Sequence, residues 1–314
     1  MEERVHDKYQ RLLDFCKSLP ATPTAVAHPC DESSLRGAVD AGKLGLIAPI
    51  LVGPRQRIEA VAKQFNIDLR GLAIVPSEHS EASAARAVEL VREGKAEALM
   101  KGSLHTDELM GAVVKRDTGL RTARRVSHCF VMDVPSYEET LIVTDAAVNI
   151  APTMEEKIDI IQNAIDLAHA LRFKEVRVAI LSAMETVNPK VPSTVEAAAL
   201  CKMADRGQIT GAILDGPLAL DNAISLESVK IKKIESPVAG RANVLVVPDL
   251  EAGNMLAKSL SFLAHADAAG IVLGARVPII LTSRADSVTT RLASCGIAAL
   301  VAHARREAAA KAIA

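Results

Sequence analysis

Short apolar runs alternate with longer amphipathic ones along this chain. The short runs lie at 25–29, 47–53, 72–76, 97–101, 128–134, 176–182, 211–215, 243–249, 270–274 and 277–282. They lack a clean in–out alternation, the pattern of strands covered on both faces. Between them, segments such as ESSLRGAVDAGKLG place Leu35, Val39 and Leu44 on one helical face. The alternation predicts βαβ units and a largely parallel sheet. Helix starts are read at Asp31-Glu32, at Ser77-Glu78 and at Thr153, where Glu156 completes a capping box. The stretch from Arg284 to Ala314 is predicted helical apart from Gly296.

The 314 residues exceed one typical core and suit two domains. Breaks near 133–138 and 274–278 divide the chain into 1–133 plus 276–314, a discontinuous first domain, and 134–275. Net charge is -1, aromatics are 2% and Trp is absent, which argues against a nucleic-acid partner. No apolar run approaches the ~20 residues of a membrane span, and the charged N-terminus does not resemble a signal peptide. The expected compartment is the cytoplasm. Cysteines at 16, 30, 129, 201 and 295 are scattered, without disulfide or zinc spacing.

Four polar turns follow strand-like runs. In VPIILTSRADS, Ser283 and Arg284 stand where a strand ending at Leu281 meets a helix expected near Ala285. A guanidinium at a helix N-terminus suits phosphate or carboxylate, although Ser283 or Asp286 could equally be an ordinary cap. In EALMKGSLHTDELM, Lys101, Gly102, Ser103, His105 and Thr106 crowd one turn. Gly102 permits close backbone approach, Ser103 and Thr106 are caps or phosphate ligands, and His105 is an acid–base candidate or a structural histidine. Asp215, Asp221 and Asn222 surround a Gly-Pro turn, as substrate or metal ligands or as turn caps. Asp249 and Asn254 flank Gly253, a helical glycine explained by close packing, by a ligand or by a short, irregular first turn. No nucleotide fingerprint and no metal spacing accompanies these turns.

Taken together, KGSLHT (101–106), DGPLALDNAIS (215–225), GRANVLVVPDLEAGNMLAK (240–258) and PIILTSRAD (278–286) resemble the phosphate acetyltransferase and phosphate butyryltransferase family, with wording nearer the butyryl branch. The resemblance implies an α/β fold of two α/β/α domains with a central cleft, like the isocitrate and isopropylmalate dehydrogenases. It implies exchange of an acyl group between CoA and inorganic phosphate, with acyl-CoA and phosphate as small-molecule partners and no cofactor, since CoA is itself a substrate. It implies a homodimer or larger homo-oligomer joined through the middle domain. Carried over, Ser283 hydrogen-bonds thiol or carbonyl and Arg284 holds phosphate. Lys101, Gly102, Ser103, His105 and Thr106 line the opposite wall, and Asp215, Asn243, Asp249 and Asn254 support from the second domain. Two positions depart from the acetyltransferase pattern: Thr290 stands where a carboxylate base is expected, and Ala112 where an arginine is. Asp286 and His105 are the replacement bases. The alternatives are an NAD- and metal-dependent hydroxy-acid dehydrogenase on the same scaffold, and a non-catalytic CoA or acyl phosphate sensor.

Overall fold

The computed structural model describes residues 7–282 and 286–313. The described residues divide into two compact units, 7–124 with 269–282 and 286–313, and 125–268. It is mixed α/β. In chain order the elements of the first unit are α1 (Asp7–Cys16), β1 (Thr22–Ala27), α2 (Glu32–Lys43), β2 (Ile47–Gly53), α3 (Arg55–Gln64), β3 (Ala73–Pro76), α4 (Ser80–Arg92), β4 (Ala98–Lys101) and α5 (Thr106–Val113). The other unit follows with β5 (Ser127–Asp133), β6 (Leu141–Thr144), α6 (Met154–Ala170), β7 (Arg177–Leu181), α7 (Pro192–Asp205), β8 (Ile213–Leu218), α8 (Leu220–Ile224), α9 (Leu226–Lys232), β9 (Val244–Val246) and α10 (Leu250–Leu263). The chain then returns through β10 (Asp267–Leu273), β11 (Ile279–Ile280) and α11 (Val288–Ile313).

In the first unit the strands run β3-β2-β1-β4-β11-β10. All neighbours are parallel except β10 and β11. Val26, Leu51, Leu99, Met100, Ile279 and Ile280 are buried, as expected for strands covered on both faces. In the other unit the order is β5-β6-β9-β7-β8, parallel except between β5 and β6. Met132, Val143, Leu218, Leu245 and Val247 share one core there.

The structure corrects several local expectations. β6 was not anticipated: LIVT is four residues long and enclosed by polar text, yet all four are buried. The α4 cap is His79, whose Nδ1 accepts from the Ala82 amide, rather than Ser77. The last helix begins at Val288, not near Ala285, because the Ser287 hydroxyl accepts from the Thr290 amide and sets the start. Gly296 lies inside that helix, where an added Cβ would stand 3.1 Å from Leu12 and 3.3 Å from Cys16 Sγ. No described helix is long and apolar enough to cross a membrane.

Candidate active site

β1, β4 and β11 lie side by side and parallel, with Ala27 paired to Lys101 and Ile280 to Met100. Their carboxyl ends therefore deliver segments 28–31 and 101–106, with Thr282, to one edge of the sheet, where ligands of open α/β sheets bind. Ser283 and Arg284 lie outside the described residues. Asp286 is half-buried.

The 101–106 turn is built against the end of β1. Lys101 closes β4 and is buried. The Gly102 amide donates to Ala27 O at 2.8 Å. A Cβ on Gly102 would sit 2.3 Å from Ala27 O and 2.5 Å from His28 O, so only glycine fits. The Ser103 amide and hydroxyl both donate to His28 O, at 2.9 and 2.8 Å. That hydroxyl accepts from the Cys30 amide at 3.3 Å. His105 caps α5, its amide donating to Glu108 Oε2 at 2.7 Å, while its side chain is exposed. Thr106, the first residue of α5, is exposed too. The Ser80 hydroxyl and then the His105 amide hold the Glu108 carboxyl below its ordinary range, so a fixed negative charge sits in the first turn of α5.

His28 was passed over in the sequence. It is buried, has φ of +56°, and supplies the carbonyl that anchors Ser103. A histidine before proline at a strand end, AVAHPC, is the signal that could have drawn attention to it. Burial first, and then the Arg57 charge, lowers its pKa, so the ring is held neutral more firmly than a free histidine.

In the other unit, β6 and β9 are adjacent and parallel, and their carboxyl ends bring residues 145–150 beside Asp249 and Asn254. Asp249 caps α10, accepting from the Ala252 amide at 2.8 Å. Asn254 Nδ2 donates to Ala146 O at 3.3 Å. Gly253 is explained by packing: an added Cβ would lie 2.8 Å from Asp145 O and from Val247 Cγ2. Asp145, also missed from sequence, is buried under five hydrogen bonds from the amides of His128, Ala147, Val148 and Asn149 and from Asn149 Nδ2. Asp215 lies within β8, two strands from β9, with Oδ1 accepting from the Gly216 amide. Asn243 stands at the amino end of β9, away from Asp249. Its Oδ1 accepts from the Arg177 amide, and its Nδ2 donates to Glu139 and to Glu175 O. The structure thus gathers Lys101 to Thr106 in one turn and Asp249 with Asn254 in another, while Asp215 and Asn243 stand apart from both.

Among the described residues, no three His, Cys, Asp or Glu side chains converge as metal ligands. Burial raises the Cys30 thiol, beside Ser103, to about 11, so it is protonated at neutral pH and a poor nucleophile.

Residues 82–299 match the family described as phosphate acetyl/butaryl transferase. A relative named phosphate acetyltransferase in Rhizobium meliloti is 64% identical over 301 residues, covering 96% of this chain and 95% of that protein. A relative named phosphate butyryltransferase in Clostridium acetobutylicum is 41% identical over 294 residues, covering 94% and 98%. The solved branched-chain phosphotransacylase from Enterococcus faecalis V583 superposes with a TM-score of 0.77 at 31% identity, covering 90% of this chain and 99% of that one. Identity is higher to this acetyl-named relative than to this butyryl-named one, whereas the motif wording leans to the butyryl branch.

Proposed function

The chain belongs to the phosphate acetyl/butyryl transferase family, and we infer that it is an acyltransferase exchanging an acyl group reversibly between CoA and inorganic phosphate. The observation that carries this reading is the 64% identity to a phosphate acetyltransferase across nearly all of both chains. In the synthetic direction, phosphate attacks the thioester carbonyl and the CoA thiolate leaves. In reverse, the thiolate attacks the acyl phosphate and phosphate leaves. A thiol of pKa about 8.5 needs a proton acceptor, the carbonyl needs oxyanion donors, and phosphate needs positive charge.

The residue roles are part of this inference. Arg284 holds phosphate and Ser283 hydrogen-bonds the thiol or carbonyl. The 101–106 turn lines the anion pocket with Lys101, and Asp249 and Asn254 serve from the second domain. Asp286 and the exposed His105 are the two acceptors for the thiol proton. CoA enters as a substrate, with no separate cofactor, in the cytoplasm. Thiol release from acetyl-CoA that depends on added phosphate tests the reaction, and release without phosphate, or none, defeats it. Arg284→Lys exchanges a bidentate fork for a point charge. It is expected to raise the KM for phosphate by roughly tenfold or more, and a wild-type KM would remove Arg284 from the site.

The homo-oligomer expectation is supported by α10, whose Met255, Phe262 and Leu263 are 63%, 79% and 81% exposed. Apolar side chains repeating at this spacing form a face that favours a partner over water. Phe262→Glu is expected to shift the particle to monomer mass in light scattering at micromolar concentration. A wild-type monomer, or an unchanged mass in the variant, would count against the face.

A further inference from the structure

Within the acyl-transfer reading, His28 at the end of β1 does more than offer a carbonyl to Ser103. His28 occupies the left-handed region at φ +56°, where a residue with a side chain persists only when its surroundings hold it there. Two observations identify what holds it. Its backbone is fixed by His28 N donating to Val52 O at 2.7 Å and by His28 O accepting from Cys30 N at 2.8 Å and from both donors of Ser103. Its ring is fixed by Nδ1 at 2.9 Å from the Ser83 hydroxyl oxygen.

The hydrogen-bond pattern around Ser83 points to one tautomer. Ser83 Oγ lies 2.8 Å from His79 O, a carbonyl that can only accept, so the one Ser83 proton goes there. Ser83 Oγ must then accept from its other neighbours, Ser77 Oγ at 2.8 Å and His28 Nδ1. The imidazole proton therefore sits on Nδ1, and Nε2 carries the lone pair. Around the ring, Arg57 and His79 oppose a positive charge, and Glu108 and Asp31 favour one.

We propose that His28 is a positioning residue of the acyl-transfer site: its Nδ1–H, anchored on Ser83, holds the left-handed turn whose carbonyl fixes Ser103 and with it the 101–106 anion-binding turn. Ser83 at the start of α4 thereby acts on the site through His28, without touching substrate.

The test uses three variants of the full chain. His28→Asn adopts the left-handed region readily and offers an Nδ2 donor to Ser83. His28→Gly relieves the backbone and removes the anchor. Ser83→Ala leaves the ring and removes its acceptor. His28→Gly and Ser83→Ala are expected to lose about 10²-fold in kcat/KM for phosphate, the scale of a small misplacement of a binding group, while His28→Asn keeps activity within a few-fold. Full activity in His28→Gly, or the same loss in His28→Asn as in His28→Gly, overturns the proposal. Should His28→Gly fail to fold, Ser83→Ala carries the comparison. Long-range proton–nitrogen NMR of labelled wild-type protein at pH 7.5 is expected to place the His28 proton on Nδ1, and a proton on Nε2 overturns the proposal without reference to activity. A wild-type protein that transfers no acyl group overturns the functional reading instead, and the NMR result separates the two failures.

Discussion

Gly102→Ala is expected to reduce kcat/KM by more than about 10²-fold, through geometry rather than chemistry. The added methyl would meet Ala27 O at 2.3 Å, His28 O at 2.5 Å and His28 C at 2.6 Å. None of these is a side-chain tip that can swing aside. They belong to the end of β1, which is paired on both sides, to β2 and to β4. The sheet is the stiffer partner, so the 102–106 turn moves, and with it Ser103 and the first turn of α5. The control lies on the same helix. Gly111 has nothing within 4 Å of its added Cβ, and Gly111→Ala is expected to raise stability by up to about 1 kcal/mol with activity unchanged. Steady-state kinetics and thermal melting of both variants decide the matter. Wild-type turnover in Gly102→Ala would mean that the turn is not part of the site.

How much of this was legible in the sequence depends on the range of the interaction responsible. Local chemistry was readable. The Thr153–Glu156 capping box forms, Asp31 caps α2, β2 spans 47–53 as the apolar run does, and Gly102 is required by backbone approach. Where two local signals competed, the sequence did not choose. Ser287 prevailed over the TSRAD cluster as the start of α11, and His79 over Ser77 as the cap of α4. Long-range bonds were invisible. Asn243 reads as a polar residue at a strand boundary, yet its partners are Arg177, Glu139 and Glu175, at least 66 residues away. The His28–Ser83 bond joins residues 55 apart. Gly253 could be read as packing or as ligand contact, and only the approach of Asp145 O resolves it.

Asp145→Ala is expected to cost about 3–5 kcal/mol, the range for stripping a buried charge from a network it satisfies. Asp145 is 3% exposed, and both oxygens are used. Oδ1 accepts from the Ala147 and Val148 amides at 2.9 and 3.0 Å. Oδ2 accepts from the His128 and Asn149 amides, both at 3.2 Å, and from Asn149 Nδ2 at 2.6 Å. Alanine removes all five acceptor contacts and leaves the donors in a closed space. The damage spreads through Asn149, whose Nδ2 also reaches Val126 O and whose Oδ1 accepts from Arg125 Nε. Asp145→Asn keeps the shape but turns an NH2 group toward donors, so it recovers only part of the loss. The lesion lies wholly within 125–268, and denaturant unfolding of Asp145→Ala should therefore show this unit melting first, splitting one transition into two. An unfolding free energy within about 1 kcal/mol of wild type would mean that water replaces the carboxylate, and that the 145–149 loop owes its shape to the packing of Gly253 instead.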